Sequence, residues 1–218
     1  MTPQEIIDQA RVLINDDNPL MPERFSDADL LGFVNQAVKR ACSMRPDLFI
    51  VSTDVTPTVG QVEQELPNTV TRIMEVHRVV GGDAIGEVDK QTMDRSAPSW
   101  PTETAGTPVN WMRHPRKPRR YYLYPRPASG TQLAMEYIEV PDDYALGDSI
   151  ALADSYKSAL IDCVVYLAEV VDNEHVETQR AKEFNASFMQ ALGADFSQRT
   201  VVDNEDGQPD EQQPRRRN

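Results

Sequence analysis

The hydrophobic positions change period twice along the chain. Between Pro3 and Asn15, Ile6, Ile7, Ala10, Leu13 and Ile14 recur at helical spacing and predict one apolar stripe. Thr2 and Glu5 stand at capping-box spacing, and Pro3 takes the first helical position, where a missing N–H costs nothing. The run Asp16-Asp17-Asn18-Pro19 ends this helix. A second helix is predicted to open at Ser26, with Asp27 and Asp29 favoured in its first turn by the helix dipole. Leu30, Leu31, Val34, Ala37, Val38 and Ala41 carry its stripe, and Pro46 stops it. Two amphipathic helices joined by a loop rich in Pro and Asp read as an antiparallel pair.

From Phe49 onward short β-rich runs replace the helical stripe: Phe49–Val55, Val62–Leu66, Arg72–Val80, Ala84–Val88, Arg120–Tyr124 and Leu133–Val140. Gly60, Gly81-Gly82, Gly106 and Gly130 punctuate them. The stretch Asp89–Pro108 has little periodicity and receives no element. Helical spacing then returns in Leu152, Tyr156, Ala159, Leu160, Cys163, Val164, Leu167 and Val171. Asp172-Asn173 marks a break or a kink, after which Val176, Phe184, Phe188, Met189 and Leu192 continue, with Gly193 as the expected C-cap. The last stretch holds Asp203, Glu205, Asp206, Asp210 and Glu211, then Arg215, Arg216 and Arg217, with almost nothing to bury. Alone it is expected to be disordered, and to order on a partner.

The fold class expected from this pattern is α+β, mainly α: an antiparallel helical bundle with a small inserted antiparallel β-lobe and an extended C-terminal tail. Residues 1–48 form the N-terminal helical pair, 49–150 the β-rich lobe with long loops, 151–200 the C-terminal helical pair, and 201–218 the tail.

At 218 residues and 39% hydrophobic content the chain suits one ordinary domain with an appended lobe, and can bury a real core. No stretch approaches the roughly 18–20 apolar residues of a membrane span. The start, MTPQEIIDQAR, lacks the basic and apolar regions of a signal peptide, so the chain is expected to be cytosolic when made. Cys42 and Cys163 fall on the apolar sides of predicted helices and read as small buried hydrophobes, not as a zinc site or a disulfide. A net charge of −13 argues against gripping nucleic acid by phosphate neutralisation. It leaves room for a protein that stays close to DNA without sticking to it.

No arrangement of residues points to catalysis. His77, His114 and His175 do not pair at metal-ligand spacing, and no phosphate-binding glycine loop or nucleophile elbow is present. Gly81-Gly82-Asp83 reads as a hairpin turn. Most acids sit on predicted solvent faces, at helix ends or in turns, as Asp16-Asp17 and Asp142-Asp143 do, where nothing raises their pKa for acid–base work. No catalytic, cofactor-binding or metal-ligating residue is therefore expected, and no cofactor. The sharpest local feature is Arg113-His114-Pro115-Arg116-Lys117-Pro118-Arg119-Arg120 followed by Tyr121-Tyr122-Leu123-Tyr124. Basic residues beside aromatics can stack and neutralise a nucleic acid. The favoured reading in so acidic a chain is a β-hairpin, a basic turn feeding a strand whose tyrosines pack alternately; contact with a partner protein or with DNA remains open.

The order of these features resembles a family. The helix opening Arg24-Phe25-Ser26-Asp27-Ala28-Asp29-Leu30-Leu31-Gly32-Phe33-Val34-Asn35-Gln36-Ala37, closed by Arg45-Pro46-Asp47-Leu48-Phe49, is similar to a stretch near the start of phage head-to-tail adaptors of the tail tubular protein A or head-completion type. Leu66-Pro67, the strand from Arg72 with Gly81-Gly82, Gly106-Thr107-Pro108, Pro115 to Pro118, Arg119 to Pro125, Leu133 to Pro141 and the closing helices follow in the same order. The resemblance spans roughly residues 3–193 and rests on the succession of motifs. It implies a structural, non-enzymatic virion protein: a ring of twelve below the portal of a short-tailed phage, extending the DNA channel and docking the tail nozzle. Genomic DNA would pass through without specific binding. C-terminal segments of such adaptors reach towards the portal, which makes Arg215, Arg216 and Arg217 candidate partner contacts beside Arg116, Lys117, Arg119 and Arg120 of the hairpin. Two alternatives stay open: a connector of a long-tailed phage, and a nucleic-acid-binding module built on residues 113–124.

Overall fold

A computed structural model describes residues 1–18, 20, 23–172 and 178–205, with side-chain surroundings as far as residue 193. The fold is mixed α/β and divides into two compact units. One comprises Met1–Arg45 and the chain from Asp143 onward; the other is Pro46–Asp142.

The first unit holds helices α1 (Pro3–Leu13) and α2 (Asp27–Met44), joined by two later helices described below. Each starts where its local chemistry dictates. Thr2 Oγ1 accepts the Glu5 N–H at 3.3 Å while the Glu5 carboxylate accepts the Thr2 N–H at 3.3 Å, and Ser26 and Asp29 repeat this reciprocal cap at α2. Lys157 and Thr2 donate to Glu5 and hold its carboxyl below the ordinary value. Ile6, Ile7 and Ala10 of α1 and Leu30, Val34, Ala37, Val38 and Ala41 of α2 are buried, as their spacing predicts.

The loop between α1 and α2 is tied by a buried cation. Arg11 donates to Asp16 and to Asp27, each at 2.8 Å, and to the Phe25 carbonyl at 3.0 Å. Asp16 also accepts the backbone N–H groups of Arg24 at 2.7 Å and Phe25 at 3.3 Å, and Asn15 turns the chain with φ of 56°. Asp16 is thus a buried structural carboxylate, not the solvated helix-end acid expected from sequence.

The second unit is built of strands β1 (Ile50–Val55), β2 (Glu63–Glu65), β3 (Val70–Val79), β4 (Gly86–Glu87), β5 (Asn110–Arg113), β6 (Arg120–Tyr124) and β7 (Leu133–Glu139). They form two sheets, in the orders β1-β7-β3 and β2-β6-β5-β4. Alternation along β6 and β7 sends Tyr121, Leu123, Leu133, Met135 and Tyr137 into one cluster with Ile73, Val76 and Trp111. Gly81, with φ of 72°, turns β3 back so that Val79 N–H reaches the Asp83 carbonyl at 3.0 Å. Three features depart from expectation. The pairing of β4 with β5 is parallel, so the lobe is not wholly antiparallel. Strand β5 was absent from the pattern because Asn110-Trp111-Met112-Arg113 is too short to display a period. The unassigned stretch contains helix α3 (Lys90–Ser96), capped by Asp89 accepting the Thr92 N–H at 3.0 Å, and a 3-10 turn at Trp100–Thr102.

Helices α4 (Lys157–Asp172) and α5 (Gln179–Glu205) complete the first unit. α4 packs against α1, α2 and α5, and buries Leu160, Cys163, Val164, Val165 and Ala168. The break expected near Asp172 falls where α4 ends, whereas Gly193 does not stop the last helix, which runs through it to Glu205. Ala194, Gln198 and Arg199 after Gly193 have helix propensity enough to outweigh one glycine, whose cost is only about 1 kcal/mol. His175 lies outside the described residues, as does the chain from 206 to 218.

Candidate functional site

The basic segment singled out by sequence is the β5–β6 hairpin, with Asn110 to Arg113 paired antiparallel to Tyr121 to Tyr124. Its turn is closed from within. His114 Nδ1 accepts the backbone N–H groups of Arg116 at 3.1 Å and Lys117 at 3.0 Å, and the Arg120 N–H donates to the Lys117 carbonyl at 3.0 Å. The His114 ring stacks on Tyr122 at 5.6 Å, and Tyr122 meets the edge of Trp100 at 5.9 Å. His114 is thereby a turn-forming group whose acceptor nitrogen is already used.

Most of the hairpin's positive charge is spent inside the same unit. Arg120 pairs with Glu63 at 2.9 Å and Glu65 at 2.7 Å, and these acceptors raise its pKa above the ordinary guanidinium value. Arg119 lies 3.7 Å from Glu65 and donates to Asn68. Arg113 donates to Glu87 at 2.7 Å and to the carbonyls of Ile73 and Met74, while its guanidinium covers the Trp111 ring at 4.7 Å. Arg116 and Lys117 at the tip are different. Both are exposed, and neither makes a side-chain ion pair among the described residues. They line a cleft of about 300 Å³ whose walls include Arg72, Arg113 and Arg120.

The aromatic residues are equally committed. Trp111 and Tyr121 are buried, and burial pushes the Tyr121 phenol well above its usual range. Tyr122 and Tyr124 pack against Met93, Trp100 and Met112, and the Tyr124 hydroxyl donates to Glu103 at 2.9 Å. The hairpin therefore offers no stacking platform of the kind that single-stranded nucleic acid needs. The structure brings Arg116, Lys117, Arg119 and Arg120 onto one turn. Arg215, Arg216 and Arg217 lie outside the described residues.

Among the described residues no group of three or more His, Cys, Asp or Glu is placed to hold a metal ion, and no buried side-chain polar atom lacks a hydrogen-bond partner. Cys42 and Cys163 are buried and form no disulfide, and burial pushes the Cys163 thiol up to about 11. His77 sits between Glu75 at 3.6 Å and Glu136 at 3.4 Å on the open face of the first sheet.

The sequence model of the family described as SU10 adaptor protein matches residues 1–214. The chain belongs to this family of phage head-to-tail adaptors. No curated protein matches it. Members of the SU10 adaptor family are structural proteins, and the match runs through both units of the chain. It extends to residue 214, past the point near residue 193 where the resemblance read from individual motifs stopped. What motif reading missed in this adaptor are the acids that answer the hairpin's arginines. Glu63 and Glu65 lie in the run Val62–Leu66 and Glu87 in Ala84–Val88, both expected as strands, but their placement beside the hairpin is set by which strands pair. No helix among the described residues is long and apolar enough to cross a membrane.

Proposed function

We propose that this adaptor assembles as a ring of twelve below the portal of a short-tailed phage, in the virion. There it extends the DNA channel and docks the tail nozzle. The observation that carries the reading is the family match across residues 1–214. Two physical features support it. Twelve chains of charge −13 gather on the order of 150 negative charges, screened over roughly 8 Å, so the ring repels DNA and lets it slide. The hairpin, the most basic segment, has spent Arg113, Arg119 and Arg120 on neighbouring groups, which favours a protein contact through Arg116 and Lys117 over DNA retention.

In this reading Arg215, Arg216 and Arg217 contact the portal, and the free chain is monomeric or weakly associated until the portal templates the ring. A polar segment that orders on its partner binds weakly per copy, and twelve copies supply avidity. Electron cryo-microscopy of virions tests the assignment by counting copies between portal and tail. Twelve copies beneath the portal are expected; a stopper protein below them would move the chain to a long-tailed particle, and its absence from virions would end the adaptor reading. Removing residues 201–218 is expected to leave the fold intact and to weaken attachment to the capsid vertex, and full attachment by the truncated chain would refute the role of the tail.

A further inference from the structure

The β-unit keeps short or occupies every strand edge except one. β2 is three residues long and carries two glutamates, and β4 is two residues long. β3 is broken by three register shifts, and its outer side is occupied. Ile73 N–H donates to the Pro118 carbonyl at 3.2 Å, Ile85 N–H donates to the His77 carbonyl at 2.9 Å, and Arg113 covers the Ile73 carbonyl at 2.7 Å. These are the ordinary devices by which proteins blunt sheet edges. β1 has none of them. It runs six residues, Ile-Val-Ser-Thr-Asp-Val, in regular register with β7, without a proline, a lysine or a bulge. Ile50 is 40% and Val51 36% exposed, and no backbone hydrogen bond joins Ile50–Val55 to any element but β7 among the described residues.

We propose that β1 is an acceptor edge that takes an extended segment of a different protein as the next antiparallel or parallel strand. The side chains state the chemistry of that segment. Val51, Thr53 and Val55 share a face with Tyr137, Met135 and Leu133, which belong to the buried cluster, so apolar residues of the incoming strand would continue that layer. On the other face Asp54 lies opposite Ala134 and makes no ion pair among the described residues, which calls for a Lys or Arg across from it. The occupant is an alternating apolar and basic segment.

A second copy of this chain fits less well. The lobe's other edges are only two or three residues long or already occupied, which leaves β1 against β1. With Thr53 opposite Thr53 in a continuous sheet, Val51 meets Val55, but each Asp54 falls beside the other copy's Ser52, next to Glu136. That register gathers two Asp54 and two Glu136 carboxylates on one face, where like charges on adjoining strands repel.

The inference that the occupant belongs to the head-to-tail junction rests on the adaptor reading; the open edge does not. Hydrogen exchange on the full chain, free and in head-to-tail assemblies released from virions, tests both. Amides of β1 directed away from β7 are expected to exchange fast in the free chain and to slow on the order of a hundredfold in the assembly. Those of β2 serve as the edge that stays fast. Ser52→Pro and Thr53→Pro remove one N–H from each side of the strand, and the variant that keeps the wild-type melting midpoint has lost the outward one. That variant is expected to be displaced from assemblies at least tenfold more readily, while Ser52→Val or Thr53→Val at the same position is retained.

Fast exchange of β1 in assemblies that contain the chain overturns the inference alone. So does an outward proline variant retained like wild type. Protection of β1 that grows with concentration of the free chain assigns the edge to a second copy and overturns it as well. A chain missing from virions fails the adaptor reading itself.

Discussion

Replacing Arg11 by methionine probes a buried charge that fixes the path of the chain between the first two helices. The Arg11 side chain is 10% and the Asp16 side chain 3% exposed, whereas Asp27 and Glu23 are more than half exposed and return to water when Arg11 is lost. Removing one partner of a buried ion pair costs about 3–5 kcal/mol, because the other charge stays uncompensated. Asp16 keeps two backbone donors, Arg24 and Phe25, so the lower end applies and about 3 kcal/mol is expected. For a chain of this length that corresponds to a fall in melting temperature of about 6–12 °C. Far-UV ellipticity at 222 nm in a thermal scan reads the loss in the helices. Both tryptophans, Trp100 and Trp111, lie in the other unit, so their native emission should not change. Asp16→Asn should cost less, about 1–2 kcal/mol, since Arg11 keeps Asp27, Glu23 and the Phe25 carbonyl. A loss below about 1 kcal/mol for Arg11→Met, or a larger one for Asp16→Asn, would refute the clamp.

Three further outcomes follow from the same geometry. Cys163, buried and with its thiol pushed up to about 11, should resist iodoacetamide at pH 8, and labelling by mass spectrometry should reach it together with Cys42 only in denaturant. Asp94 accepts from Lys90 at 2.7 Å and Trp100 Nε1 at 2.9 Å, and these bonds, Lys90 first, hold its pKa below the ordinary value. A depressed carboxylate stabilises the fold above its unfolded pKa of about 3.9, and the contribution is lost as pH falls through the lower folded value. Acid titration of tryptophan emission should show that change, and Asp94→Asn should abolish it. Arg116→Glu combined with Lys117→Glu should leave the melting midpoint unchanged, because neither side chain has a partner ion pair, and neither form should bind duplex DNA in a gel-shift assay at low salt. DNA retention by the wild type with a steep salt slope would restore the nucleic-acid reading.

Both helix starts, the stripes they bury and the β-rich middle were legible in the chain because they depend on neighbours within one or two turns. Thr2 with Glu5 and Ser26 with Asp29 are caps three residues apart, and the alternation of Tyr121 with Leu123 is a property of one strand. The basic hairpin was also legible, as a turn between Arg113 and Arg120. Its meaning was not. Arg113 finds Glu87 across 26 residues and Arg120 finds Glu63 across 57, so neutralisation of the turn is set by which strands pair and in what register. The same holds for Asp16, which a local reading leaves at a solvated helix end and which Arg11, Arg24 and Phe25 together bury. Parallel pairing of β4 was likewise decided by tertiary structure, since nothing local sets the direction of its neighbour. The open edge of β1 belongs to tertiary structure in the fullest sense. Its residues form a strand by their own preference, but only the placement of the other strands leaves its outer edge without a neighbour among the described residues.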